Sequence, residues 1–467
     1  MQYLEKLFVF FSQTVLLSGL FYVGNLHAEI LNPHNKPAHE IVSITGSPYF
    51  DLLKLYNLAL EEDTDIRSAA AERESIRQIM VQKQSVLLPS IQVSVSQFQN
   101  TTTDPALISS YMGKGLSLTL SQPLINVSYW AEANYGRKLN IQAKIKYLSA
   151  QQNLILRVAE AYFSLLKAMD SHEAALSEHT AMNRHLEEAR QRYKAGLIAI
   201  TDVEIAKARR DNAIATEIQA KNTLENQQEA LQQIVNHPVE HIYRLDDTLE
   251  LRPPTPNDKT EWVMRALSDN FDLQIARLNA SLAREQIKSS VAQHLPTLSL
   301  GATVSKTTQL SPTQPVVVER PRTSNVNLTL NIPIFSGFGT QAKAKEHKLL
   351  YQKSFFELES QHRRTELLTN QHYRGVLTYM SRAKALKQAA LSNEVALKAT
   401  NVAFEAGTRT IVDVLEAQSA LIAARQAHLA ARYDYLLEGL YLKSMAGILD
   451  TRDLLAINAL LITEKKP

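Results

Sequence analysis

Proline is missing from two long stretches of this chain, and that absence constrains the fold more than any residue present. None occurs from Leu124 to His237, and none from Ile334 to Lys466, although the 467 residues include 16 prolines. Proline inside a helix costs ~3 kcal/mol or more, so windows this long read as helix. In the first window the only glycines are Gly136 and Gly196. A helix over residues 128–195 would be ~100 Å long at about 1.5 Å per residue. Ordinary globular helices average about 11–12 residues, so a compact globule is excluded.

The apolar spacing suits rods of this kind. Ile155, Val158, Tyr162, Leu165 and Met169 recur at alternating steps of three and four, the spacing of a coiled-coil seam. Val414, Leu421, Ile422 and Leu429 repeat the pattern, with alanines between them. An ordinary helical bundle would show the same periodicity.

Other segments alternate with a period of two. Ile91, Val93 and Val95 alternate with Gln92, Ser94 and Ser96. Leu116, Leu118 and Leu120 do the same, as do Val326, Leu328, Leu330 and Ile332. Such strands fit a membrane barrel, apolar side to lipid, and also a half-buried soluble sheet. The segments between paired strands, "NTTTDPALISSY" and "QLSPTQPVVVERPRT", read as polar loops. Four strands cannot close a membrane barrel, which needs at least ~8, and open edges are not tolerated in lipid. Several chains would then share one barrel: two would give 8 strands and three would give 12.

The chain also says the same thing twice. "YKAGLIAITDV" from Tyr193 aligns without gaps with "FEAGTRTIVDV" from Phe404. "RESI" at Arg73 matches "REQI" at Arg284, and "SLTLSQPLI" at Ser117 matches "NLTLNIPIF" at Asn327. A linker, "LRPPTPND", separates the halves. The expected organisation is a signal segment over 1–28, a first repeat over 29–252 and a second over 253–467. The first repeat carries strands near 90–104 and 113–124 and helices near 128–195 and 201–236. The second carries strands near 297–310 and 322–335 and helices near 337–406 and 410–446. In the signal, Lys6 precedes the apolar run Leu7–Val23 and Ala28 offers a cleavage site; a single N-terminal anchor is the alternative.

Each repeated turn has a glycine where a helix ends, Gly196 and Gly407, suited to positive φ. Thr201 with Glu204 fits a capping box, and Thr410 with Asp413 fits its acidic form. Asp413 and Glu416 lie three apart, on one helix face. A helix-start carboxylate is the plain reading of Asp413; in a symmetric trimer the pair would form two stacked acidic rings. Arg409 would bridge to Thr201 or Asp202 at the other turn.

Composition excludes several functions. The net charge of +3 gives no nucleic-acid signature. The absence of cysteine excludes disulfides, thiolate metal sites, thiol catalysis and a lipidated mature N-terminus. There is no HExxH and no GxxxxGK[ST] motif. The expectation is no enzyme and no cofactor.

The chain resembles the TolC family of outer-membrane efflux ducts from about residue 50 to 462. The resemblance is tightest over "GLIAITDV", "LAREQI", "HLPTL" and "GTRTIVDVLEAQSAL". It implies a mainly α, partly membrane-β fold: a homotrimer with a 12-stranded barrel in the outer-membrane lipid of a Gram-negative bacterium. A helical tunnel would cross the periplasm, girdled near the linker and the C-terminal segment. The partners implied are a periplasmic adaptor and an inner-membrane transporter, for drug efflux or type I secretion. Residue by residue, Asp413 and Glu416 match the family's constricting acidic positions. Thr201, Asp202 and Arg409 match its latch. Phe404 stands where the family has a latch tyrosine, and Tyr193 takes the matching place in the first half. The turns at Gly196, Leu197, Ala199, Gly407 and Thr408 are the expected adaptor contacts. The other reading is a periplasmic helical-hairpin adaptor or scaffold.

Overall fold

The computed structural model describes residues 49–104, 107–246, 249–310, 317–319 and 322–462. The signal segment 1–28 and the extension 29–48 lie outside the described residues. The chain begins with the two-residue strand β1 (Tyr49–Phe50) and the helices α1 (Leu52–Glu62) and α2 (Thr64–Ser85). The hairpin β2 (Ser90–Asp104) and β3 (Leu107–Ile125) follows. Two long helices come next, α3 (Val127–Lys194) and α4 (Ile200–Val235). After β4 (His241–Ile242) and β5 (Arg244–Leu245), α5 (Lys259–Asp269) and α6 (Phe271–Ala292) lead into β6 (Thr297–Leu310), β7 (Val317–Glu319) and β8 (Thr323–Asn331). The helices α7 (Gly339–Glu405) and α8 (Ile411–Met445) form the second long pair, before α9 (Thr451–Asn458) and β9 (Leu461–Ile462).

The helix starts are chemically marked. Asp51, Asp63, Asn126 and Asn270 each accept a hydrogen bond from a first-turn backbone N–H, at 2.7, 2.9, 3.2 and 3.0 Å. Each cap satisfies an N–H that the helix itself leaves unpaired. The lengths follow from what is missing: α3 has 68 residues and α7 has 67, ~100 Å each.

These two rods organise the helical body. Along one half, α3 packs against α2 and α6, and α7 packs against α6. Along the other, α3 packs against α4 and α8, and α7 packs against α8. No helix among the described residues is long and apolar enough to cross a membrane.

The main core lies midway along α3. Leu154, Val158, Ala159, Tyr162 and Phe163 are fully enclosed there. Around them pack Leu52, Leu55 and Tyr56 of α1, Leu231 and Val235 of α4, Tyr433 and Leu440 of α8, and Leu454 and Ile457 of α9. Burying each large apolar side chain stabilises by roughly 1.5–3 kcal/mol. Buried polar groups are tied in: the Tyr162 hydroxyl donates to the Tyr243 carbonyl at 2.6 Å, and that of Tyr433 to Asp170 at 2.6 Å. The expected seam residues of α3 are here, Ile155, Val158, Tyr162 and Leu165 in the core and Met169 against it, but α3 is not buried along a narrow stripe. Short elements wrap it, so Leu154, Phe163 and Leu166 are buried as well.

The sheet is antiparallel, with strand order β2–β3–β6 and both β7 and β8 paired along β6. β8 pairs with Thr297–Ser305 and β7 with Thr308–Leu310, so together they occupy one strand line. The outer strands β2 and β8 each have one edge unpaired among the described residues. Most apolar positions of the alternating pattern stand exposed: Val95 is 81% exposed and Val326 73%, while Leu118 and Leu120 are half-buried.

The expected loops differ from the structure. Much of "NTTTDPALISSY" is strand, because β2 and β3 pair without interruption to Asp104 opposite Leu107. Its β-branched threonines favour extended backbone, and an antiparallel pair continues while both partners supply backbone groups. The second loop likewise contains β7. The last long strand ends at Asn331, before Pro333, which has no N–H to donate to a ladder.

Candidate functional site

Two tight turns end the long helices, one in each hairpin. At the first, Gly196 adopts φ +73°. Leu197 N–H donates to the Arg192 carbonyl at 2.9 Å and Gly196 N–H to that of Tyr193 at 2.9 Å. At the second, Gly407 adopts φ +75°. Thr408 N–H donates to the Ala403 carbonyl at 2.9 Å and Gly407 N–H to that of Phe404 at 3.0 Å. Both are glycine-centred helix stops that satisfy the last free carbonyls. Space around both glycines is open, so the positive φ, not crowding, asks for glycine there.

The following helices begin differently. α8 has Thr410 as its N-cap, with a complete capping box. The Asp413 carboxylate accepts from the Thr410 N–H and from its hydroxyl, both at 2.8 Å. These bonds, the backbone one foremost, hold the Asp413 carboxyl below the usual carboxylate range. α4 has Ala199 as its N-cap and no side-chain cap. The expected capping box of Thr201 and Glu204 is therefore not formed. Thr201 is already inside the helix, because the glycine stop sets the same spacing in both turns and puts an alanine where the second has Thr410.

Arg409 also differs from expectation. Its guanidinium pairs with Asp413 in the first turn of α8 at 3.4 Å, not with Thr201 or Asp202. Asp413 lies four residues on, within reach of the Arg409 side chain. Thr201 and Tyr193 are exposed, and Asp202 is half-exposed. Glu416 lies 3.9 Å from the guanidinium of Arg209 of α4. Leu197, Ala199 and Thr408 are exposed, with Leu197 at 72%.

The hairpin ends do meet, and apart from Phe404 they meet through residues the sequence did not single out. Met182, Ala213, Ile411 and Leu415 form a buried cluster from α3, α4 and α8, with Phe404 of α7 against it. The Arg192 guanidinium lies over the Phe404 ring, 4.3 Å from its centroid, while Glu188 holds the same guanidinium at 2.9 Å. A second cluster, Leu186, Ala189, Val203 and Ala206 with Ile198, lies within the first hairpin alone. The one sequence signal for the arginine contact was negative: Phe404 has no hydroxyl.

The arrangement is two helical hairpins joined at their ends by apolar contact and cationic side chains, with acidic groups at the second turn. It offers electrostatic and mechanical control rather than bond chemistry.

The outer membrane efflux protein family model matches residues 55–237 and 262–447. The chain is 32% identical over 417 residues to the outer membrane protein TolC of Vibrio cholerae, covering 89% of this chain and 95% of that one. It is 28% identical over 426 residues to the alkaline protease secretion protein AprF of Pseudomonas aeruginosa, covering 89% and 88%. In fold it is similar to the Campylobacter jejuni CmeC outer membrane channel, with a TM-score of 0.77, 17% identity, and coverage of 88% of this chain and 90% of that one. The chain belongs to the outer membrane efflux protein family.

Proposed function

We propose that three copies of this chain form one passive exit duct, gated where its helical hairpins end. The chain is an outer-membrane channel protein of efflux or secretion. It lies in the outer membrane of a Gram-negative bacterium, with its helices in the periplasm. The observation that carries the trimer is the sheet. Among the described residues it has four strand lines, unpaired edges at β2 and β8, and an exposed apolar row. Lipid offers no partner for open-edge N–H and C=O groups. A second copy can pair each edge, and three copies reach 12 strands.

The hairpin ends supply the gate. In a trimer Asp413 and Glu416 repeat three times and make the narrow end acidic. Thr201, Asp202, Arg409, Phe404 and Tyr193 flank it, and the exposed turns at Gly196 and Gly407 meet a periplasmic adaptor coupled to an inner-membrane transporter. Such a duct needs no catalysis of its own, since the pump supplies the energy. The adaptor reading of the sequence is set aside, because the chain belongs to a channel family.

The test is the native mass of the detergent-extracted protein, measured with its retention in carbonate-washed outer membranes. Three chains and retention are expected. A stable monomer would leave four strands with bare edges and overturn the shared barrel. For the gate, lanthanum(III) added from the periplasmic side should block single-channel current, and Asp413→Ala with Glu416→Ala should abolish the block. Equal block in both proteins would remove the acidic rings.

A further inference from the structure

Arg192 of α3 and Phe404 of α7 meet where the two hairpins end. Phe404 packs, partly buried, against Met182, Ala213, Ile411 and Leu415. Arg192 is held from the side by Glu188, one turn back on its own helix, at 2.9 Å. The guanidinium is thereby laid over the ring at 4.3 Å, well inside the ~6 Å range of a cation–π contact. Arg409 is occupied by Asp413 of its own hairpin. Among the described contacts it therefore does not tie the hairpins together.

We infer that Arg192 is a positioning residue for the gate: a cation–π clasp on Phe404 holds the first hairpin to the second in place of a hydroxyl hydrogen bond. The inference rests on reading the hairpin ends as the gate. A cation–π contact suits a joint that must open. It has no single required angle, so the ring can slide under the guanidinium before it lets go. A phenylalanine is also sufficient for it, because the ring face and not a hydroxyl is the partner. Glu188 has the supporting part of keeping the guanidinium in place when the hairpins part, so that the clasp can close again.

Single-channel conductance of the full-length protein in planar bilayers tests this, with Arg192→Gln, Phe404→Leu and the double variant. Each single change should raise the open fraction about two- to five-fold, as expected for an exposed cation–π contact. The double variant should exceed neither, because both remove the same contact. Arg192→Lys keeps a cation and should restore part of the closed fraction. Phe404→Trp, with the better ring face, should lower the open fraction below the parent's. Unchanged conductance in Arg192→Gln, or effects that simply multiply in the double variant, would overturn the clasp. Lanthanum(III) block separates the two readings. If block persists while Arg192→Gln does nothing, the clasp alone falls. If block also survives Asp413→Ala with Glu416→Ala, the gate reading falls with it.

Discussion

The two hairpin turns share a backbone but not a chemistry. Both stop a long helix with a glycine near φ +75°, and both restart a helix at an isoleucine, Ile200 or Ile411. Beyond that they diverge. The first turn places Ile198 against Leu186, Ala189, Val203 and Ala206. The second puts Arg409 at the matching place, paired with Asp413 in solvent. The first caps its helix with nothing, the second with a full box. The backbone of such a turn is fixed by steric rules, which leave few substitutes for glycine at positive φ. The side chains are free to specialise, one turn toward apolar packing within its hairpin and the other toward charge.

Substitutions at matched positions should separate the shared part from the specialised part. Ile198→Ala should cost about 2 kcal/mol, the low end for such a truncation because the side chain is only partly buried. Thermal or denaturant unfolding of the detergent-extracted protein would read it, and a cost near zero would dissolve the apolar half of the contrast. Gly196→Ala and Gly407→Ala should each cost roughly 1–2 kcal/mol, the penalty of a Cβ in left-handed backbone. The two costs should agree, since neither glycine has a neighbour for a Cβ to meet; a clear inequality would mean the turns differ in backbone too.

The cap should matter on one side only. Thr410→Ala should lose about 1 kcal/mol and Ala199→Thr should gain a similar or smaller amount, read by hydrogen exchange at the first turns of α8 and α4. The same cap has a pH signature. The folded Asp413 carboxyl titrates below its unfolded value. Its stabilisation is therefore complete above the unfolded value of about 3.9 and is lost as pH falls through the lower folded one. Carbon-13 NMR of labelled aspartate should place the Asp413 midpoint below about 3.9. Thr410→Ala should raise it partway, because the backbone N–H remains. The smallest effect is expected at Arg409→Ala, about 0.5 kcal/mol or less, since exposed ion pairs contribute little. A large loss there would show that Arg409 has a second partner in the assembled protein.

Much of the architecture was legible because it depends on local rules. The proline-free windows marked α3, α4, α7 and α8, since one proline would break any of them. Alternation marked β2, β3 and β8, and the internal repeat marked β6. Gly196 and Gly407 announced the turns. The box at Thr410 was readable because cap and partner sit three residues apart. The box at Thr201 was misread for the same reason: its Thr–Glu spacing is right, but the helix starts where the glycine stop puts it, one residue after Ala199. The loops were misread because polar threonines satisfy a strand as well as a loop when a partner strand runs on beside them.

What the sequence determined by itself was therefore one-dimensional: where helices can run unbroken, where strands alternate, where the chain must turn, and that four strands are too few for a barrel. Each of these rests on interactions within a few residues, or on a count. The tertiary structure alone decided which distant side chains meet. Tyr433 on Asp170, α1 and α9 folded onto the middle of α3, and Arg192 laid over Phe404 rather than Arg409 reaching Asp202 are all such meetings. No local rule encodes them, because they depend on how rods of ~100 Å pack with the shorter helices beside and between them, and a small change in crossing or register would give every long side chain a different neighbour.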